Sequence, residues 1–188
     1  MKKLLFFAFI ASFFISCSSL KVTSDFDKTV DFTQFKTLQY YGWAQESDKI
    51  LNDFDKERIE KAAGAELKKR GIEVVESDAD LIGTLYIVTQ DKTQVSATTS
   101  GVGGYYGYGG YYGYGPGWGG GFTTTTYNEY EYTEGTLVIS IFDAKKEKLI
   151  WEGIGQGTID DNPQNRERKI PTAVAKIMAS YPVKPAKK

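Results

Sequence analysis

Cys17 is the only cysteine among the 188 residues, so any chemistry that needs sulfur has one place to occur. Paired carboxylates are the other reactive groups: Asp25 with Asp27, Asp78 with Asp80, Glu129 with Glu131, and Asp160 with Asp161. Two carboxylates sharing a site can act as acid and base or hold calcium. None of these pairs sits in a catalytic or calcium-loop pattern, and Asp78-Ala79-Asp80 lacks the further ligands and closing Glu of a calcium loop. They read as solvated or turn-forming groups. The chain has no His, which removes the commonest metal ligand and the commonest general base near neutral pH. With no second Cys, internal disulfides, structural zinc and thiol catalysis fall away together. No Gly-x-Ser-x-Gly elbow and no phosphate-binding Gly-Lys-Ser or Gly-Lys-Thr is present. The residues therefore call for no catalytic group, no metal and no cofactor, and the chain reads as a non-enzyme. The alternative is an envelope hydrolase or sugar-modifying enzyme that uses its acidic residues.

What precedes Cys17 gives that thiol a different use. Lys2 and Lys3 are followed by an apolar run from Leu4 to Ile15, the basic-then-apolar order of a secretory leader. The run is well short of the roughly 20 apolar residues of a membrane-spanning helix. Phe14-Ile15-Ser16-Cys17 resembles the lipobox of bacterial lipoproteins, with Phe14 where Leu is commoner. Residues 1–16 are then a signal peptide, and residues 17–20 are a lipidated Cys and a short tether. One acyl chain holds a protein to a membrane only reversibly, whereas a diacylglyceryl thioether on Cys17 supplies two chains, each buried CH₂ contributing about 0.8 kcal/mol. Ser18, directly after the Cys, resembles the default for the outer membrane on its periplasmic side, with exposure on the cell surface as the second choice. The membrane is thus one expected partner. Without the leader the chain keeps 172 of its 188 residues, enough for one domain with a real core, expected over 21–182. The formal charge of −1 becomes −3 once Lys2 and Lys3 are removed, which argues against nucleic acid as a partner.

A second unusual stretch lies at 101–121, with twelve Gly, six Tyr, one Trp, one Pro and one Val. Tyr105-Tyr106-Gly107-Tyr108-Gly109-Gly110 is repeated as Tyr111-Tyr112-Gly113-Tyr114-Gly115-Pro116. Glycine-rich chain of this kind has too few branched apolar groups to offset the entropy of ordering, so a disordered tip is expected. Its flanks, Thr89 to Ser100 and Thr123 to Tyr132, are rich in Thr and Tyr and can extend two strands into a long hairpin. Tyr105, Tyr106, Tyr108, Tyr111, Tyr112, Tyr114 and Trp118 form a candidate binding arm. Their faces can stack on a glycan or on an envelope protein, with the Tyr hydroxyls adding hydrogen bonds.

The elements that would position these groups follow from periodicity. Residues Lys21 to Phe26 suit a strand, Asp31 to Lys36 a turn or short helix, and Thr37 to Trp43 a second strand. A helix should follow, capped by Asn52 or Asp53, with Phe54, Ile59, Ala62, Ala63 and Leu67 on its apolar side and Gly71 ending it. Ile72 to Val75 begins a strand and Leu81 to Thr93 forms a long one. In Gly135 to Asp143, Leu137, Ile139 and Ile141 alternate with Thr136, Val138, Ser140 and Phe142. Leu149 to Gly157 returns as the second arm of a central hairpin, and Trp43 and Trp151 are core or sheet-face residues. Asn162-Pro163 can open a last helix, which either kinks at Pro171 or starts there, and Val174, Ile177, Met178 and Tyr181 form its apolar face. The basic tail 183–188 should be solvated.

Thr133-Glu134-Gly135-Thr136-Leu137-Val138-Ile139, Phe142-Asp143-Ala144, Lys148-Leu149-Ile150-Trp151-Glu152-Gly153 and Ala173-Val174-Ala175-Lys176-Ile177 resemble segments of the bacterial lipoprotein family of domain of unknown function 4136. Asp31 to Thr37, Ile59 to Gly71 and Ala79-Asp80-Leu81-Ile82 extend the likeness over roughly Lys21 to Pro182. The resemblance implies an α+β fold, a mostly antiparallel sheet with two helices packed on one face, in an envelope lipoprotein of a Gram-negative bacterium. It carries no activity and no catalytic residue. The strand and helix order read from the residues agrees with it.

Overall fold

The computed structural model describes residues 20–44, 47, 50–101 and 123–186. Its elements are β1 (Lys21–Phe26), a 3-10 turn (Phe32–Gln34), β2 (Thr37–Trp43), α1 (Asp53–Lys68), β3 (Glu73–Val74), β4 (Leu81–Gly101), β5 (Thr123–Asp143), β6 (Lys148–Thr158) and α2 (Pro163–Met178). One six-stranded sheet runs in the order β1-β6-β5-β4-β2-β3. β1 and β5 pair antiparallel with β6, while β2 pairs parallel with both β4 and β3. The fold is α+β with a mixed sheet, and the β5–β6 hairpin lies near its middle. The parallel pairs gather at one edge because α1 carries the chain back between β2 and β3, a connection no tight hairpin can make.

The chain divides into two compact units, Asp91–Tyr132 and the remainder. The boundary falls about ten residues outside the expected insertion at 101–121, because the Thr- and Tyr-rich flanks continue β4 and β5 as strands of 21 residues each.

Local rules set the helix ends. Asn52 caps α1 by accepting a hydrogen bond from the Asp55 amide at 2.9 Å, and Asp53 and Asp55 place negative charge in the first turn. Gly71, at φ +79°, takes the left-handed conformation that ends this segment. Asn162 caps α2 through the Gln164 amide, with Pro163 at the first position. Pro171 neither starts nor ends this helix, which runs through it. Proline removes the donor for the Glu167 carbonyl, and both residues lie on the exposed side, where water can serve that carbonyl.

The core collects Leu38 from β2, Ile59, Ala63 and Leu67 from α1, Leu81 and Leu85 from β4, and Leu137, Ile139 and Ile141 from β5. Ile150 and Trp151 from β6 and Val174, Ile177 and Met178 from α2 complete it, with Tyr181 just beyond the helix. Phe54 does not join them and is 72% exposed. Five residues before Ile59, it sits about 140° around the helix from the buried stripe. The tail is also less free than its charge suggests, since Val183 packs against the core and the Ala186 amide donates to the Lys69 carbonyl at 2.8 Å.

Gly153, Gly155 and Gly157 recur at every second residue of β6 and share one face. A Cβ added to Gly155 would stand 2.5 Å from Ile177 Cδ1, and one on Gly153 would stand 2.7 Å from Ile177 Cγ2 and 2.4 Å from the Trp151 ring. Side chains here would hold α2 off the sheet. Gly155→Ala should therefore cost about 1–3 kcal/mol by overpacking, read as a lower urea midpoint. Adding Ile177→Val removes the methyl that the new group meets, so the double variant should lose less than the two single losses combined. Full additivity would show that Ile177 is not the obstacle.

Candidate functional site

Three of the four acidic pairs contain a carboxylate that joins strands or caps an element. Asp80 Oδ2 accepts from the amides of Lys36 and Thr37 at 2.9 and 3.2 Å and from Thr37 Oγ1 at 3.2 Å, stapling the start of β2 to the start of β4. The Lys36 amide, opposed by partial burial, leads in holding this carboxyl below its usual range. Asp27 accepts from Lys148 Nζ at 2.6 Å and from the Thr29 amide and hydroxyl, which ties the end of β1 to the start of β6. The Lys148 ammonium is the main cause of its strongly lowered pKa. Asp160 accepts from Lys169 Nζ, from the Asn162 amide at 3.0 Å and from Asn165 Nδ2 at 3.3 Å. These contacts, Lys169 first, bring it down from the usual 3.8 to about 2. Asp25 accepts from the Phe26 amide, Asp78 is a turn residue at φ +54°, and Glu129 and Glu131 are exposed in the smaller unit. Among the described residues, no group of three or more His, Cys, Asp or Glu converges on a point that could hold a metal ion.

One concave feature of the larger unit is a cavity of 290 Å³ between the start of α1, residues 166–177 of α2 and the end of the sheet. That volume is near the low end, about 300 Å³, of small-molecule pockets. Its walls are mostly apolar, with Leu20, Leu51, Ile59, Leu137, Ile170 and Ile177 prominent. Polar groups stand to one side. Asp55, buried in the first turn of α1, lies 2.6 Å from Arg58 Nη1 and 2.8 Å from Arg166 Nε of α2, and it accepts from Asn52 Nδ2 at 3.1 Å. The Arg166 contact is a close ion pair whose N–H is not aligned for a hydrogen bond. Arg166 also donates through Nη1 to the carbonyls of Asp160 and Asp161, both at 2.9 Å, so it bridges the two helices and the loop before α2.

Sequence reasoning missed this cavity. The start of α1 was legible from Asn52 and Asp53, but the cavity's lining comes from six separated stretches of chain, and periodicity within one element cannot reveal it. Cys17 and the arm residues Tyr105, Tyr106, Tyr108, Tyr111, Tyr112, Tyr114 and Trp118 lie outside the described residues. Trp151, fully buried, stacks edge-on to Tyr181 at 5.4 Å, and burial pushes the Tyr181 hydroxyl well above its usual pKa. Trp43 is partly buried, and its Nε1 donates to Glu60 at 2.7 Å.

Residues 22–183 match the family described as Domain of unknown function (DUF4136), and the chain belongs to that family. No curated protein matches the chain. Among solved structures, the chain is similar to the PelC dodecamer from Paraburkholderia phytofirmans, at 10% identity over 89% of this chain and 99% of that one, with a TM-score of 0.46. A PDZ domain protein from Parabacteroides distasonis is 19% identical over 89% of this chain and 36% of that one, also at 0.46. A minor lipoprotein from Acinetobacter baumannii is 8% identical over 77% and 87%, at 0.29. Likenesses this distant carry no function across.

The Asp160 contacts generate a pH dependence. Because its folded pKa is depressed, its contribution is complete above the unfolded value near 3.8 and is lost as pH falls toward about 2. In acid-unfolding titrations, Asp160→Asn should flatten the stability loss between about pH 4 and pH 2. Parallel curves for parent and variant would rule this contribution out.

Proposed function

We propose that the protein is a lipid-anchored, non-enzymatic binding module of the bacterial envelope, held through Cys17 at the periplasmic side of the outer membrane. The observation that carries the non-enzymatic reading is the engagement of Asp27, Asp80 and Asp160, each of which has strand ends or a helix start as its partners. A carboxylate that must stay ionised to hold two elements together is poorly placed to exchange protons with a substrate. Anchoring is supported by the order of Lys2 and Lys3, the apolar run, and Cys17 followed by Ser18 and Ser19. Recognition is assigned to the aromatic arm around Tyr105 to Trp118, acting on an envelope protein or glycan.

Two measurements test this. Cells grown with labelled palmitate should label the parent protein, and Cys17→Ser should lose both the label and the membrane fraction; a labelled Cys17→Ser product would end the anchoring claim. Capture from detergent-solubilised envelopes should retain a partner with the full chain and lose it when residues 101–121 are deleted. If the exposed-carboxylate changes Asp25→Asn or Glu129→Gln abolished the cellular phenotype while the deletion left it intact, the enzyme alternative would take its place.

A further inference from the structure

The geometry points to a second binding function: we propose that the 290 Å³ cavity takes one hydrocarbon chain of an envelope amphiphile and that its mouth faces the membrane. The orientation rests on the proposed lipidation of Cys17, whereas the binding does not. Three features support the assignment.

The first is shape and lining. A cavity of about 150 Å³ with aliphatic and aromatic walls stays dry and accepts benzene. This one is larger and half-open to solvent, and Leu51, Ile59, Leu137, Ile170, Val174 and Ile177 line it. It suits a slender apolar ligand better than a sugar, which would need several polar partners in the wall.

The second is the state of the polar groups beside it. Asp55 is paired with Arg58 and Arg166, and Asp160 with Lys169, so these charges already balance one another. The site then reads the chain of an amphiphile and leaves its head in water.

The third is position. Leu20, one of the lining residues, lies over the glycine face of β6, its Cδ1 being 3.3 Å from where a Gly157 Cβ would stand and 3.6 Å from one on Gly155. Two residues, Ser18 and Ser19, separate Leu20 from Cys17, and the three Cα-to-Cα steps between them span at most about 11 Å. Leu20 is therefore held in the cavity wall, and an acyl group on Cys17 would begin within that reach of it. Two sources offer the same chemistry: a chain carried by Cys17 itself, and a chain of a separate lipid or fatty acid.

The test uses the full chain with Cys17→Ser and a series of saturated fatty acids from octanoate to hexadecanoate, each below its micelle concentration, measured by calorimetric titration. Binding should be saturable at one site. It should tighten about fourfold for each added methylene until the cavity is full and then level off. Ala173→Phe fills the cavity, and Ile50→Trp obstructs it from a residue already 39% exposed, which spares the core. Each should weaken dodecanoate at least tenfold while thermal unfolding stays near the parent's. Absence of saturable binding overturns the proposal, as does a rise with chain length that never levels and ignores both substitutions. The lipidated parent then identifies the source: if it no longer takes dodecanoate, the resident chain is that of Cys17, and if it binds as Cys17→Ser does, a separate lipid supplies it. A parent that incorporates no palmitate would end the anchoring reading and leave the fatty-acid titration standing.

Discussion

The larger unit depends on how closely α2 can approach β6. Ile177 reaches the backbone of Gly153 and Gly155, where any side chain would displace it. That approach buries Val174, Ile177 and Met178 completely. Close packing also brings the end of α2 near Trp151, so Tyr181 closes over the indole and meets Phe32 on its other side at 5.5 Å. Without the glycine face, the same apolar stripe on α2 would stand farther out and much of this contact area would meet water. At roughly 25 cal/mol per Å² of apolar surface, small displacements along a 16-residue helix add up quickly.

Charge plays a different part, fixing the ends of elements whose middles are held by apolar packing. Asp27, Asp80 and Asp160 each sit where a strand or helix begins or ends, and each gathers amide or ammonium donors. Glu66 and Arg70 act similarly at the end of α1, where the guanidinium donates to the Glu66 carboxylate at 2.7 Å and to the Met178 carbonyl at 2.8 Å. That second bond joins the C-terminal ends of the two helices, as the Asp55–Arg166 pair joins their beginnings. The helices are therefore tied at their beginnings by an ion pair, at their ends by a guanidinium-to-carbonyl hydrogen bond, and along their length by side-chain packing.

Much of this was legible in the chain itself, wherever the cause is local. Asn52 is a cap because its side chain reaches an amide three residues on, and Gly71 ends α1 because it tolerates positive φ. Leu137, Ile139 and Ile141 alternate because a strand does. What the chain did not disclose depends on partners distant in sequence. The parallel pairing of β2 needs β4 and β3 in place, and the continuity of α2 through Pro171 depends on which side of that helix faces water. The β6 glycines read as weak strand residues until Ile177 is seen filling their place. Cys17 is conspicuous as the only cysteine, after a basic start and an apolar run, and residues 101–121 for their glycine and tyrosine content.

The cavity and the helix contact have one origin. Ile177 fills the glycine face at Gly153 and Gly155, and Leu20 covers it at Gly157, but α2 does not extend over the whole distance between them. Toward its beginning, α2 presents Ala173 and Ile170 and then turns polar with Lys169 and Arg166, while β5 offers Gly135. The small residues that admit Ile177 therefore leave unfilled volume about one turn earlier, where α2 presents only Ala173. Filling that volume would need a bulky residue at Ala173, Gly135 or Gly157, and at the two glycines an added Cβ already meets Ile159 or Leu20. The void is a consequence of seating α2 so deeply, and it opens beside the residue that leads to Cys17.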